Sequence, residues 1–153
     1  MNISSLKILL EGTHPTTGLP FDADSQIASD QMNQANVDRL VPLLSTGLLA
    51  WSAGSSAGDR PRILKIKEGA ASHASESVQA IATAADIMIQ RENTVLDLDL
   101  PDRVAMVDAL VSGGVLSAAD STSLYELATE TISYAEFNNL SFIHAGHVEE
   151  ARL

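Results

Sequence analysis

The chain has no cysteine, few aromatic residues, and fewer than half as many basic as acidic side chains. Without cysteine there can be no disulfide, thiolate metal site, iron–sulfur cluster or cysteine nucleophile, and the redox compartment leaves no mark. Aromatics make up 4% of the chain, which removes most of the material used to stack ligands or bases. Nine Lys and Arg against twenty Asp and Glu give a formal net charge of −11. A surface of that sign repels phosphate backbones and anionic lipid, so direct contact with nucleic acid is not expected. Long apolar runs are missing too. Met1-Asn2-Ile3-Ser4-Ser5-Leu6-Lys7 is not a basic segment leading into an apolar stretch, so neither a signal peptide nor a membrane span is expected.

What is present is a dense series of helix start and stop signals. A chain of 153 residues is about one ordinary domain and can bury roughly two-thirds of its extended surface. Ile3, Leu6, Leu9 and Leu10 recur at helical spacing until Gly12 and Pro15, and Asp22 is placed to cap a second helix through about Met32. The stretch from Thr13 to Pro20 between them is rich in turn residues and predicts an irregular connector. Residues 1–40 therefore form an N-terminal helical arm and connector, and 41–153 a helical domain. In that domain Ser45 or Thr46 precedes a short helix carrying Leu48, Leu49 and Trp51. Pro61 opens a helix bearing Ile63, Leu64 and Ile66, and Val78, Ile81, Ala82, Ala85 and Ile89 lie along one face of a helix over about Ser75–Gln90.

Pro101-Asp102 starts a helix that Gly113-Gly114 stops. Ser117 and Asp120 have capping-box spacing ahead of Leu124, Leu127, Ala128, Thr131 and Ala135, which predicts one helix to about Phe137, and His144 to Arg152 make a last short helix. Val95-Leu96-Asp97-Leu98-Asp99-Leu100 alternates as a strand does. With no partner strand apparent elsewhere it is assigned as an extended linker. The expected fold is all-α: a small bundle of short helices with an irregular N-terminal arm.

Few residues offer chemistry. His144 and His147, three apart, would share a helix face as metal ligands do, but Gly146 weakens the helix and no third ligand completes a motif, so packing and capping roles are preferred. Asp97, Asp99 and Asp102 are hard oxygen donors of the kind calcium takes, yet the turning glycine and later bidentate Glu of a calcium loop are missing. No serine stands in GxSxG and no glycine-rich phosphate loop occurs. No catalytic, metal or cofactor site is expected. Arg60, Arg62, Lys65 and Lys67 concentrate four of the nine basic residues in one cluster at the start of the Pro61 helix. A solvated face is the ordinary reading of such a run, and a protein interface is the functional one. Trp51, the single tryptophan, reads first as core and second as an interface anchor. Trp51, Arg60, Arg62, Lys65 and Lys67 are accordingly the candidate interface residues.

Taken together, four segments carry a resemblance: Thr94-Val95-Leu96-Asp97-Leu98; Asp108-Ala109-Leu110-Val111 with Gly114-Val115-Leu116-Ser117 and Asp120; Ser133, Ala135 and Glu136; and Gly146-His147-Val148-Glu149-Glu150-Ala151-Arg152. In that order and spacing the chain resembles a family of small tailed-bacteriophage proteins, most closely over residues 89–153. Asp22-Ala23-Asp24 and Val41-Pro42 through Trp51 extend the similarity toward the N-terminus. The matching residues are cap and core positions, so no functional residue carries over. The resemblance implies a structural component of the virion, in the connector, the tail or as an accessory. Such a protein would be made in the host cytoplasm, would assemble with other virion proteins and with copies of itself, and would have no enzymatic activity. The alternative of a different class is an acidic regulatory module that binds a basic host protein.

Overall fold

The computed structural model describes residues 2–153. Among them the elements run α1 Ile3–Leu10, α2 Ser25–Asn33, β1 Ala35–Leu40, β2 Leu43–Leu44, α3 Ser45–Ala53, α4 Arg62–Ser72, α5 Glu76–Gln90, β3 Val95–Leu96, α6 Pro101–Ser112, α7 Ala118–Leu127, β4 Thr129–Ser133, α8 Tyr134–Phe137 and α9 Ala145–Arg152. The all-α expectation is overturned. The described residues are 57% helical, but four strands among them make two small antiparallel sheets, β1 with β4 and β2 with β3.

Both sheets escaped the periodicity for identifiable reasons. Val95-Leu96 does have a partner, since Leu43 lies opposite Leu96 and Leu44 opposite Val95. It is the partner that shows no alternation, since Leu43-Leu44 is two residues long and sits in an apolar stretch that leads straight into α3. The helix expected to reach Phe137 ends instead at Leu127. Thr129-Glu130-Thr131-Ile132-Ser133 follows as a strand. Three of those five residues are β-branched, stiff at χ1 in a helix and well suited to a pleated surface, and this outweighs the helical spacing of Leu124, Leu127, Thr131 and Ala135. Across the strands Arg39 Nη2 donates to Glu130 at 3.3 Å and Thr131 Oγ1 to Asp38 Oδ1 at 2.6 Å.

The chain divides into two compact units, residues 40–129 and residues 1–39 with 130–153. The segment 130–153 thus groups with the N-terminal residues, where the sequence pattern assigned it to 41–153. That unit has a core of its own, to which both segments contribute: Leu6, Phe21, Ala28, Met32, Ala135, Ile143, Val148 and Ala151 are buried together. α2 is capped by Asp24, whose carboxylate accepts the N–H groups of Gln26 and Ile27 at 2.9 and 3.1 Å. At the far end of that helix the Asn33 carboxamide clamps the backbone of Ile143, donating to its carbonyl at 2.6 Å and accepting its N–H at 2.8 Å. From the last turn of α9, Arg152 donates to the carbonyls of Ala23 and Asp22.

The larger unit packs α3 to α7 and the β2–β3 pair around Leu43, Leu48, Trp51, Ile66, Ala82, Ile89, Leu96, Leu98, Val107, Leu110, Leu116 and Leu124. Its most extensive helix contact is α4 against α5. Gly69 makes close packing possible there, because a Cβ built on it would lie 2.9 Å from Val115 Cγ2 and 3.4 Å from Ala82 Cβ. Gly114 turns the chain after α6 at φ +74°, a conformation strained for residues with a Cβ.

Candidate functional site

The chemistry-bearing side chains of the larger unit meet at Asp120. The residue opens α7, and its capping box with Ser117 forms in both directions: the Ser117 hydroxyl accepts the Asp120 N–H at 3.1 Å, and Asp120 Oδ2 accepts the Ser117 N–H at 3.0 Å. Asp120 turns inward from the first turn of α7 and is fully enclosed, at 0% exposed, while Ala118 and Ala119 beside it face solvent. An isolated buried carboxylate would cost several kcal/mol, so it needs partners. Oδ1 accepts from Arg62 Nε at 2.8 Å and from Ser56 Oγ at 2.7 Å. Oδ2 also accepts from Ser117 Oγ at 2.9 Å and from Lys65 Nζ. Five donors therefore occupy the roughly four lone-pair positions of one carboxylate.

Arg62 and Lys65 reach Asp120 together because they lie three apart on α4, one turn along the same face. Arg62 is 7% exposed. Its Nη1 donates to the Trp51 carbonyl at 2.9 Å, and the guanidinium carbon stands 5.1 Å from the center of the Trp51 ring. The indole Nε1 of Trp51 in turn donates to Ser123 Oγ at 3.1 Å. Lys65 joins a second carboxylate, Asp59, in the loop before α4. That loop is closed further by the Arg62 N–H on the Gly54 carbonyl at 3.0 Å.

These contacts set the proton affinities. Burial pushes the Asp120 carboxyl up, but the bonds from Lys65, Ser117 and Ser56 outweigh it and hold the group well below the usual carboxylate range. Burial pushes Lys65 down, and its bonds to Asp120 and Asp59 outweigh that and raise it. Asp59 is lowered by the Lys65 bond and the Arg60 N–H. A carboxylate held ionized with every lone pair engaged is a poor base, and an ammonium held protonated is a poor nucleophile. The arrangement suits locking the loop, α4 and α7 together.

Beside it lies an open depression of about 330 Å³ lined by Arg60, Lys65, Glu68, Ser72 and His73 among others. Its charges are matched within the chain: Arg60 pairs with Glu68 at 2.8 Å and Lys65 with the two aspartates. His73 is occupied at both ring nitrogens, Nδ1 accepting the Ser75 N–H at 3.0 Å and Nε2 facing the Gly113 carbonyl at 2.8 Å. It ties the ends of α4 and α6 to the start of α5.

Of the five candidate interface residues, then, Trp51, Arg62 and Lys65 point inward and are used by the fold, while Arg60 and Lys67 stay on the surface. His144 and His147 do come together, ring centers 5.3 Å apart, with the His144 N–H on His147 Nδ1 at 3.2 Å. No group of three or more His, Cys, Asp or Glu side chains able to hold a metal forms among the described residues, Asp97, Asp99 and Asp102 included. Nor is any helix there long and apolar enough to cross a membrane.

The chain matches no protein-family model, no curated protein and no solved structure.

One surface was not among the candidate interface residues. The outward residues of the β2–β3 pair, Leu44 and Val95, are 64% and 48% exposed, and Leu49 on α3 is 54% exposed. Leu49 lines a groove of about 210 Å³ with Ser45, Thr46, Ile89, Arg91 and Glu92, between the start of α3 and the end of α5. Leu44 directly precedes Ser45, so the apolar pair borders the groove. The alternation Val95-Leu96 was the available signal, since it turns one residue in and the next out.

Proposed function

We propose that the protein is a structural component of a tailed-bacteriophage particle, in the connector, the tail or as an accessory, working by protein–protein assembly. In this reading it performs no chemistry of its own. It is made in the host cytoplasm and then joins other virion proteins and further copies of itself. The observation that supports assembly is the apolar surface at Leu44, Leu49 and Val95. Clustered exposed apolar side chains beside a groove mark protein contacts far more often than an isolated exposed leucine does. The ionizable groups that would serve a reaction are meanwhile committed to one another around Asp120. The assignment to a phage particle rests on the resemblance of residues 89–153. Mass spectrometry of particles purified from infected cells tests it: the protein is expected at a fixed ratio to the major virion proteins, and its absence from intact particles removes the proposal.

A further inference from the structure

We infer that the face formed by Leu44, Leu49 and Val95 with Arg91 and Glu92 pairs with the same face of a second copy, about a two-fold axis. The inference deepens the assembly reading above and rests on it for the view that the face is an interface. Burying three large exposed apolar side chains on each copy supplies the drive. The charges select the occupant. Arg91 and Glu92 are adjacent, exposed and line the same groove, and neither is in an ion pair among the described residues. In a two-fold contact residue i meets j and j meets i, so the pairing we infer, Arg91 of one copy with Glu92 of the other, is made twice. The rim is self-complementary. Over the rest of a chain with a net charge of −11, copies repel one another, which steers them toward a face where a free cation is matched. A two-fold contact closes at two copies, and any ring would need a second, different contact.

The test is analytical ultracentrifugation of the purified full chain, without partners, over a wide concentration range and at low and high salt. Wild type is expected to dimerize, more weakly as salt rises. Arg91→Glu and Glu92→Arg are each expected to raise the dimer dissociation constant by at least roughly tenfold, because each places like charges opposite one another twice. The double exchange Arg91→Glu with Glu92→Arg restores wild-type affinity. Glu92→Arg makes the chain less negative, so if net charge alone governed association it would tighten the dimer. Leu49→Asp, at an exposed position, should give a folded monomer, with circular dichroism as the check on folding. A wild type that stays monomeric, or an oligomer indifferent to Arg91→Glu, Glu92→Arg and Leu49→Asp, overturns the inference. A two-fold dimer in a protein absent from particles would keep this inference and remove the phage assignment. A monomer found in particles would do the reverse.

Discussion

Asp120 caps α7, neutralizes Arg62 and Lys65, and fastens Ser56 of the preceding loop, and these roles share one side chain. Replacing Asp120 by Asn keeps the shape, leaves the buried Arg62 without its counter-charge and leaves Lys65 with Asp59 alone. The expected loss is about 3–5 kcal/mol, the range found when one partner of a buried pair is removed. Urea unfolding followed by Trp51 fluorescence measures it. The exposed Arg60–Glu68 pair is a contrast, since Glu68→Gln should cost no more than about 1 kcal/mol for a pair in solvent. His14 poses a finer question. It is buried against Phe21 and Tyr134, with ring centers 5.6 and 5.7 Å away. Its Nδ1 accepts the Thr16 N–H at 3.2 Å, so in the neutral ring Nε2 carries the proton and needs an acceptor. The neighbor of Nε2, at 3.3 Å, is the Asn36 carboxamide, whose oxygen otherwise has no partner. Turning that amide so that Oδ1 faces Nε2 gives both of those atoms a partner. Nitrogen-15 spectra of the ring are therefore expected to show Nδ1 bare and Nε2 protonated; the opposite tautomer would refute this arrangement.

Helix ends were the legible part of this molecule, and helix partners were not. Ser117 and Asp120 announce a capping box, and the structure forms it. Nothing in the local pattern tells that Asp120 also meets Arg62 and Lys65 from α4, because that depends on which helices pack together. The same holds for Leu43-Leu44 and Val95-Leu96, whose pairing is visible only once α3 and α5 are in place. Asn33 is another instance: it reads as an ordinary polar helix end, yet it clamps Ile143 far along the chain. The contact of α4 with α5 gives the sharpest test of packing. Gly69→Ala should favor α4 by about 1 kcal/mol on propensity alone. The added methyl meets Val115, a buried β-branched side chain with little freedom to move. We expect a net loss of about 1–3 kcal/mol, the usual cost of overpacking. Combining it with Val115→Ala should cost less than the two single losses added together, because the methyl then enters the space vacated. Additive losses in the double-mutant cycle would show that Val115 is not the obstacle.

Two buried clusters with no residue in common imply two cooperative steps in unfolding. The cluster around Leu6, Met32 and Ile143 is the smaller, and a smaller core buries less apolar surface against the same entropy per residue, so it should open first. Methyl resonances of Ile143 and Val148 report on that unit, and the only tryptophan, Trp51, reports on the other. Their midpoints in urea are expected to differ at neutral pH; coincident midpoints would show a single cooperative unit. Acid should separate the probes in a second way. Asp120 has its folded pKa depressed, so its contribution is complete above the unfolded value of about 3.9 and is lost as pH falls below it. Lys65 has its folded pKa raised, so its contribution is complete below about 10.4 and is lost as pH rises beyond that. Between about pH 5 and pH 9 the lock around Asp120 should therefore add no pH dependence. From pH 4 to pH 2 the Trp51 midpoint should fall steeply in wild type and less in Asp120→Asn, which has no carboxylate there to protonate. The Ile143 midpoint should change alike in both proteins, since Asp120 lies outside its unit; an equal acid response of Trp51 in the two would mean that Asp120 is not the group being titrated.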